Sequence, residues 1–150
     1  EVEKKGISQE RLIFAKHAKF EDHLERLKFV DLFLDTFPYN AHTTCSDALR
    51  MGIPVLTIKG KSFASRVAAS LLSVMNLNDL IVEDDKEFVK KAVKISNNFD
   101  ELKLLKAKVT KNKINSNLFK SKIFTKNLEK NYLAIYENLL NGNKPKNFEL

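Results

Sequence analysis

The feature that most constrains the fold is a series of four short apolar runs that alternate with helical patterns. The runs lie at residues 11–15, 31–35, 54–58 and 79–82, and the helical patterns between them lie at residues 21–30, 45–51 and 62–75. Continuously apolar strands separated by single helices are typical of βαβ units, in which helices cover both faces of a parallel sheet. The sequence therefore predicts an α/β fold with a Rossmann-like parallel sheet.

After residue 84 the apolar spacing becomes helical throughout, at residues 87–96, 100–112 and 122–141. A chain of 150 residues with 43% hydrophobic content can bury a single core. We therefore predict one domain with two parts, an α/β part at residues 1–84 and a helical C-terminal extension at residues 85–150. The abrupt start, with no strand before residues 1–8, favours a segment of a longer protein.

Two details of the α/β part are specific enough to test. Gly52 tolerates a positive φ and Pro54 cannot continue a helix, so the helix at residues 45–51 is predicted to end there. The helix at residues 62–75 is predicted to bury one face, which carries Phe63, Val67 and Leu72 together with Leu71.

A polar turn precedes the second helix and is the first candidate site. Its sequence is Asn40-Ala41-His42-Thr43-Thr44-Cys45-Ser46-Asp47, and it follows the strand predicted at residues 31–35. Ligands of open parallel sheets bind beyond the carboxyl ends of the strands, and a helix start attracts phosphate. Thr44 and Asp47 also have the spacing of a capping box, which needs no ligand. The spacing alone leaves both interpretations open.

A second polar pair, His23 and Arg26, lies on one face of the first predicted helix. An imidazole can stack on a nucleobase, and a guanidinium can donate to the carbonyl oxygens of a base. The alternative is an exposed histidine beside an arginine that pairs with Asp22, one turn earlier. The polar turn and the His23–Arg26 pair each follow a predicted strand, so we expect both at the same edge of the sheet.

Charge and motif content exclude several classes of protein. The net charge is +7, and lysines are scattered over residues 86–146 without the arginine clusters or spaced aromatics of RNA-binding modules, which favours a solvated helical surface over nucleic-acid binding. The single cysteine, Cys45, excludes an internal disulfide and favours a cytoplasmic location. There is no apolar run long enough for a membrane span, no nucleophile elbow, no P-loop and no metal-ligand spacing.

Two strings identify a resemblance to a known family. "DTFPYNAHTTCSD" and "SFASRVAAS", together with the closing "NYLAIYENLLNGNKP", are similar to the C-terminal catalytic lobe of the O-linked N-acetylglucosamine transferase (SPINDLY-like) family, bacterial type. The similarity covers residues 10–146. It implies the C-terminal lobe of a B-type glycosyltransferase, which binds a UDP-sugar.

The resemblance assigns roles to the polar turn. His42, Thr43 and Thr44 match the family motif that holds the UDP diphosphate, and Asp47 matches the aspartate that binds the ribose. These roles are what the resemblance implies for this chain.

The resemblance also assigns roles around the first helix. His23 matches the histidine that stacks on uracil, Arg26 matches an arginine that contacts the base, and a backbone group at Ala18 completes the uracil site. Ser65 and Arg66 match a segment that packs near the site.

Three positions depart from the family pattern. Phe20 replaces a lysine that can contact the ribose, which removes that contact, whereas Ala41 and Arg50 replace residues that are often glycine and tryptophan. The last two fall beside the motif and leave its chemistry intact.

The family's other functional residues precede this segment. Its phosphate-binding lysine and acceptor-side histidines have no counterpart here, so no catalytic residue is assigned within the chain. The resemblance implies the donor-binding half of a protein O-glycosyltransferase that transfers N-acetylglucosamine to Ser or Thr, inactive alone, with no cofactor and no metal. The implied partners are an N-terminal catalytic lobe, upstream tetratricopeptide repeats and a protein acceptor, with no membrane. The alternatives are a non-catalytic nucleotide-binding module or a polyanion- or RNA-binding module that uses the lysine-rich helices.

Overall fold

Three parallel strands form the sheet of this protein, as seen in a computed structural model that describes residues 1–147. The strands are β1 at Phe33–Leu34, β2 at Val55–Ile58 and β3 at Ile81–Val82, in the order β1-β2-β3. Phe33 pairs with Val55, and Thr57 pairs with Ile81. Helices connect successive strands, as parallel pairing requires. The predicted α/β fold is confirmed.

Helices make up most of the remaining structure. The α-helices are α1 at Phe20–Leu27, α2 at Thr43–Arg50, α3 at Val67–Val74, α4 at Asp85–Ser96, α5 at Phe99–Asn115 and α6 at Ser121–Leu140. Short 3₁₀ turns lie at Glu3–Lys5, Gln9–Arg11, Phe63–Ser65 and Asn78–Leu80.

The central strand β2 is buried along its whole length, and its two faces contact different helices. Val55 belongs to the main core, which includes Cys45 and Ala48 of α2 and Leu72 of α3. Side chains on the other face, Leu56 and Ile58, pack with Val82 against Phe88 and Ala92 of α4. Because side chains alternate across a strand, helices cover both faces of the sheet, as predicted.

The predicted strand at residues 11–15 is wrong. Residues 12–19 contain neither helix nor strand, and the side chains of Ile13 and Phe14 are 89% and 88% exposed. An apolar run becomes a strand only when a neighbouring strand pairs with its backbone N–H and C=O groups. β1 pairs with β2 on one side, and residues 12–19 do not pair with its other side. The apolar pattern was therefore insufficient by itself.

The predicted helix at residues 62–75 is divided in two. Ser62 and Ser65 form a reciprocal capping box around the 3₁₀ turn, and α3 begins only after Arg66, whose backbone (φ −125°, ψ −9°) is not helical. Phe63 lies in this turn and is 82% exposed, so its predicted burial is wrong. Leu72 is buried as predicted, and Val67 and Leu71 are half-buried.

Gly52 ends α2 in the predicted way. Its φ is +82°, and its N–H donates to the carbonyl of Leu49 at 3.1 Å. A Cβ at this position would lie 3.1 Å from the Thr110 hydroxyl of α5. Both the backbone conformation and the close packing of α5 therefore favour glycine.

In the helical C-terminal half, α5 packs on the core, whereas α6 does not. Leu105 and Val109 of α5 join the same core as Leu49 of α2. In α6 no residue is buried, and apolar side chains such as Leu133 are exposed. The division into parts at residues 1–84 and 85–150 stays a prediction, and its last three residues lie outside the described part of the chain.

Several lysines of the C-terminal half have structural partners. Lys106 pairs with Asp31 at 2.6 Å and Lys108 with Asp79 at 2.7 Å, while the Lys113 ammonium donates to the Arg50 carbonyl at 2.9 Å. These contacts tie α5 to the α/β part. They support the interpretation of the lysines as a solvated and paired helical surface.

Candidate functional site

The start of α2 carries no side-chain cap. The helix begins at Thr43, and the N-cap position is His42, which makes no capping hydrogen bond. Thr44 lies inside the first turn, so the capping-box interpretation of Thr44 and Asp47 is wrong. Helix starts present unpaired N–H groups and a partial positive charge. Thr43 and Thr44 are both exposed there, so the helix start faces solvent.

Asp35 fixes the loop that leads to this helix start. Its Oδ1 accepts hydrogen bonds from the backbone N–H of Thr36 at 2.8 Å and of Ala41 at 2.7 Å. Its Oδ2 accepts from the hydroxyl of Thr57, on the neighbouring strand β2, at 2.6 Å. The bond from Thr57 is buried, and the two bonds from backbone N–H groups are partly buried. This role of Asp35 was not predicted from the sequence. The signal that the sequence offered was an aspartate placed directly after an apolar run.

Asn40 ties the same loop to the loop after β2. Its backbone N–H donates to the Ala64 carbonyl at 2.9 Å, and its side-chain amide donates to the Thr36 carbonyl at 3.0 Å. Gly60 donates from its N–H to the Ser65 carbonyl at 2.8 Å, which folds the second loop back on itself. The two loops are therefore joined by hydrogen bonds at the edge beyond β1 and β2.

The ring of His42 lies among aromatic side chains. It stacks on Tyr39, with ring centroids 5.0 Å apart and planes 16° apart, and it meets Phe63 edge-on at 6.0 Å. Its Nε2 is buried and has no hydrogen-bond partner among the described residues. An unpaired buried nitrogen is costly, so a ligand atom that paired with it would be stabilised.

His23 and Arg26, the candidates for contact with a nucleobase, are held by a different set of contacts. The guanidinium of Arg26 donates to the Lys16 carbonyl at 2.8 Å and to Nδ1 of His23 at 2.8 Å. No ion pair joins Arg26 to Asp22 in residues 1–147, so that alternative is wrong. A guanidinium only donates, hence Nδ1 of His23 accepts and the ring proton is on Nε2.

Asp47, in α2, lies close to His23, in α1, so the polar turn and the His23–Arg26 pair are neighbours in the fold. Its Oδ2 lies 4.0 Å from Nε2 of His23, across the contact between α1 and α2, and the residue is 7% exposed. This distance is too long for a hydrogen bond, so both atoms retain hydrogen-bonding capacity. Ala18 is half-buried, two residues before α1.

Cys45 is a core residue and not a nucleophile. It lies on the face of α2 that is turned to the core, and its side chain is fully buried. Burial, with a smaller contribution from the negative charge of Asp35, raises the pKa of its thiol to about 12. The thiol therefore stays protonated at neutral pH, and the reactive thiolate is not populated.

Residues 1–147 contain no group of three or more His, Cys, Asp or Glu side chains placed to hold a metal ion. No helix in the same part of the chain is long and apolar enough to cross a membrane. The absence of a metal requirement stays a prediction.

The parallel sheet with a polar helix start at its carboxyl edge defines an α/β lobe of the class that binds ligands beyond the ends of its strands. Residues 1–128 match glycosyl transferase family 41, and the chain belongs to that family. The matched span includes every candidate site residue. The resemblance seen in the sequence strings is confirmed.

Curated relatives and a solved structure agree with this membership. The chain is 31% identical over 146 residues to a protein of Arabidopsis thaliana named a probable UDP-N-acetylglucosamine–peptide N-acetylglucosaminyltransferase, SEC, covering 97% of this chain and 15% of that protein. It is 34% identical over 125 residues to the UDP-N-acetylglucosamine–peptide N-acetylglucosaminyltransferase of Caenorhabditis elegans, covering 83% of this chain and 11% of that protein. A mutant O-GlcNAc transferase of Thermobaculum terrenum superposes with a TM-score of 0.81 at 30% identity, covering 87% of this chain and 25% of that one. The chain therefore spans a small fraction of the length of these relatives.

Proposed function

We propose that this chain binds the UDP-sugar donor of a glycosyltransferase that modifies protein hydroxyl groups. The observation that carries the proposal is the convergence of His23, Arg26 and Asp47 beside the uncapped start of α2. Relatives named for UDP-N-acetylglucosamine and peptide acceptors support N-acetylglucosamine as the sugar and Ser or Thr as the acceptor.

The nucleoside would occupy the α1 side of the site. Arg26 locks His23 through Nδ1, so the imidazole plane is fixed for stacking on uracil, and Arg26 contacts the base. The backbone at Ala18 would complete the uracil site. Asp47 has a carboxylate oxygen without a close partner, which suits the ribose hydroxyls. Each of these groups is already oriented by protein contacts, which reduces the entropic cost of binding.

The diphosphate would occupy the start of α2. Backbone N–H groups of the first turn, the hydroxyls of Thr43 and Thr44, and the helix dipole all favour a negative charge there. A phosphate oxygen would also supply the partner that Nε2 of His42 lacks. The loop held by Asp35 fixes the backbone N–H groups of this helix start before the ligand arrives, whereas the His42 ring, which stacks on Tyr39, would have to shift before its Nε2 could reach a phosphate oxygen.

Transfer requires more than this segment in our proposal. UDP leaves when an acceptor hydroxyl attacks the anomeric carbon, and the donors at α2 would stabilise the charge that develops on the diphosphate. The residues that activate the acceptor are proposed to lie in an N-terminal catalytic lobe of a longer chain, with tetratricopeptide repeats selecting the acceptor. The segment alone is proposed to bind donor without transferring it, in the cytoplasm and without a metal or cofactor.

The alternatives have less support. A polyanion-binding module would use free lysines, yet Lys106, Lys108 and Lys113 are engaged in contacts that hold α5 in place. A non-catalytic nucleotide-binding module would share the same donor site, and the presence of acceptor-side histidines in the longer chain would distinguish the two.

Titration of UDP into the chain by isothermal calorimetry tests the proposal. We expect saturable binding that weakens in Thr43→Ala, His42→Ala and His23→Ala, because each change removes a contact to the nucleotide. Loss of a hydrogen bond to a charged group costs about 1.5–3 kcal/mol, which is roughly a 10- to 150-fold loss of affinity. Thr125→Ala, an exposed threonine on α6, is the matched control and should bind like the original chain.

The outcomes are distinct. Equal losses in Thr43→Ala and the α6 control would contradict the assignment of the helix start. Absence of UDP binding by the folded chain, tested up to millimolar ligand, would contradict donor binding by this segment alone. Strong RNA binding that persists in Thr43→Ala and falls steeply with salt would favour the polyanion alternative.

A further inference from the structure

An open groove runs along the outer side of α3, between this helix and the edge strand β3. It has a volume of about 800 Å³, and no residue of α2 lines it. The apolar half of its lining, the floor, includes Val67, Leu71, Val74 and Ile81, and the other six lining residues are polar or charged. Apolar side chains combined with polar groups are common in binding sites.

The groove is continuous with the proposed donor site through one side chain. Phe63 lines the upper end of the groove and also contacts the ring of His42, at the residue before the helix start. Lys59 and Glu83 follow the carboxyl ends of β2 and β3, so the groove opens at the same sheet edge as the donor site. From there it continues along α3 to Val74 and Asn78, away from that edge.

Two of the groove's three charged lining residues are cations, and the exposed Asp84 and Asp85 follow the third, Glu83. Lys59 and Arg66 lie along the groove, and their side chains make no hydrogen bond or ion pair with the described residues. Glu83 is the acidic residue of the lining. Unpaired cations beside an apolar floor fit an occupant that carries both carboxylates and apolar side chains.

The dimensions fit a polypeptide. The helix between Val67 and Val74 is about 10 Å long at 1.5 Å per residue. An extended chain covers that length with about three residues at 3.3 Å each. The groove is partly open to solvent, so an extended chain can lie in it.

We propose that this α3 groove binds the acidic, partly apolar segment of the protein acceptor that flanks the modified hydroxyl. This inference rests on the proposed function, since the groove is placed by its continuity with the donor site. The acceptor hydroxyl lies beside the donor, and the flanking residues run past Phe63 into the groove. Arg66 and Lys59 pair with flanking carboxylates, and the floor buries the alternate apolar side chains.

Fluorescence anisotropy with two labelled synthetic peptides tests this binding site. One peptide has alternating glutamate and valine on one side of a threonine, and the other has lysine in place of each glutamate. We expect the acidic peptide to bind at least about tenfold more tightly at 0.15 M salt. Arg66→Glu and Lys59→Glu should each weaken its binding by about tenfold or more, since each converts an attraction into a repulsion.

Two further variants separate the groove from general charge attraction. Lys126→Glu changes the same charge on the exposed surface of α6 and should alter the affinity less than twofold. Val74→Ser removes apolar surface from a residue that is 47% exposed and should fold normally, and it should weaken the peptide about threefold. UDP affinity, measured on every variant, should stay unchanged.

Several results would overturn the inference. Equal affinity for the acidic and basic peptides, no peptide binding up to millimolar concentration, or equal losses in Lys126→Glu and Arg66→Glu would each do so. Displacement of the peptide by single-stranded RNA with equal efficiency in the original chain and Arg66→Glu would assign the attraction to general charge. If UDP binds while the peptide tests fail, the groove inference alone is wrong, whereas loss of UDP binding contradicts the proposed function itself.

Discussion

Replacement of Thr57 by valine removes one buried hydrogen bond and little else. The Thr57 hydroxyl donates to Asp35 Oδ2 at 2.6 Å, and Thr57 is fully buried. Valine has nearly the same shape, so no cavity forms, but the carboxylate loses one of its three donors. A hydrogen bond to a charged group contributes about 1.5–3 kcal/mol, and the buried oxygen that remains cannot recover water.

We therefore expect Thr57→Val to lower the free energy of unfolding by about 1.5–3 kcal/mol. For a chain of this size, that loss corresponds to a decrease in Tm of roughly 3–12 °C. Urea denaturation followed by circular dichroism measures it, with an unchanged m-value as the sign that the denatured state is the same. Thr125→Val, on the exposed surface of α6, is the matched control and should change stability by less than about 0.5 kcal/mol.

The same variant reports on the site. Because Asp35 also accepts from the N–H of Ala41, directly before His42, a loosened carboxylate should lower UDP affinity as well. Thr57→Val combined with Asp35→Asn should show a coupling free energy of about 0.5–3 kcal/mol. A stability loss no larger than that of the control, or strictly additive effects of the two substitutions, would refute the role given to Asp35.

Three further predictions concern other parts of the fold. The free energy of unfolding should fall as pH rises from about 9 toward about 12, by up to about 1.4 kcal/mol per pH unit, because the folded chain keeps the Cys45 proton that the unfolded chain loses. Urea denaturation at pH 8 and pH 10 should show that Cys45→Ala lacks this component, and an identical slope would contradict it. Gly52→Ala should cost about 1–2 kcal/mol in the same assay, since φ is +82°, and a neutral result would be inconsistent with that conformation. Leu133→Ser should change stability by less than about 0.5 kcal/mol, because this leucine of α6 is 62% exposed, and a larger loss would show packing that the structure lacks.

Part of the fold and site could be predicted from sequence because it depends on local patterns. The continuous apolar run at residues 54–58 fits a strand buried on both faces, and it became β2. Gly52 ended its helix because its conformational freedom is intrinsic to the residue. The apolar run at residues 11–15 looked similar to β2 but formed no strand. Strand formation needs a neighbour, and no local pattern reports whether one is present.

The site shows the same division. The sequence pointed to His23 and Arg26 on one helix and to the turn at residues 42–47, and helical periodicity was enough to pair the first two. It did not show that Arg26 would donate to the Lys16 carbonyl, or that Thr44 would lie inside the helix without capping it. Both outcomes depend on competing partners that only the folded chain brings within reach.

The sequence by itself determined the α/β class, the parallel arrangement and the family, because periodicity and the strings around His42 and Ser65 are local properties of the chain. Tertiary structure alone decided that Thr57 would hold Asp35 across 22 residues, that Asp47 would face His23, and that a groove would open beside α3. The physical reason is that hydrogen bonds and burial between distant residues depend on which strands and helices become neighbours. That choice is made by the packing of the whole core, and no single segment contains it.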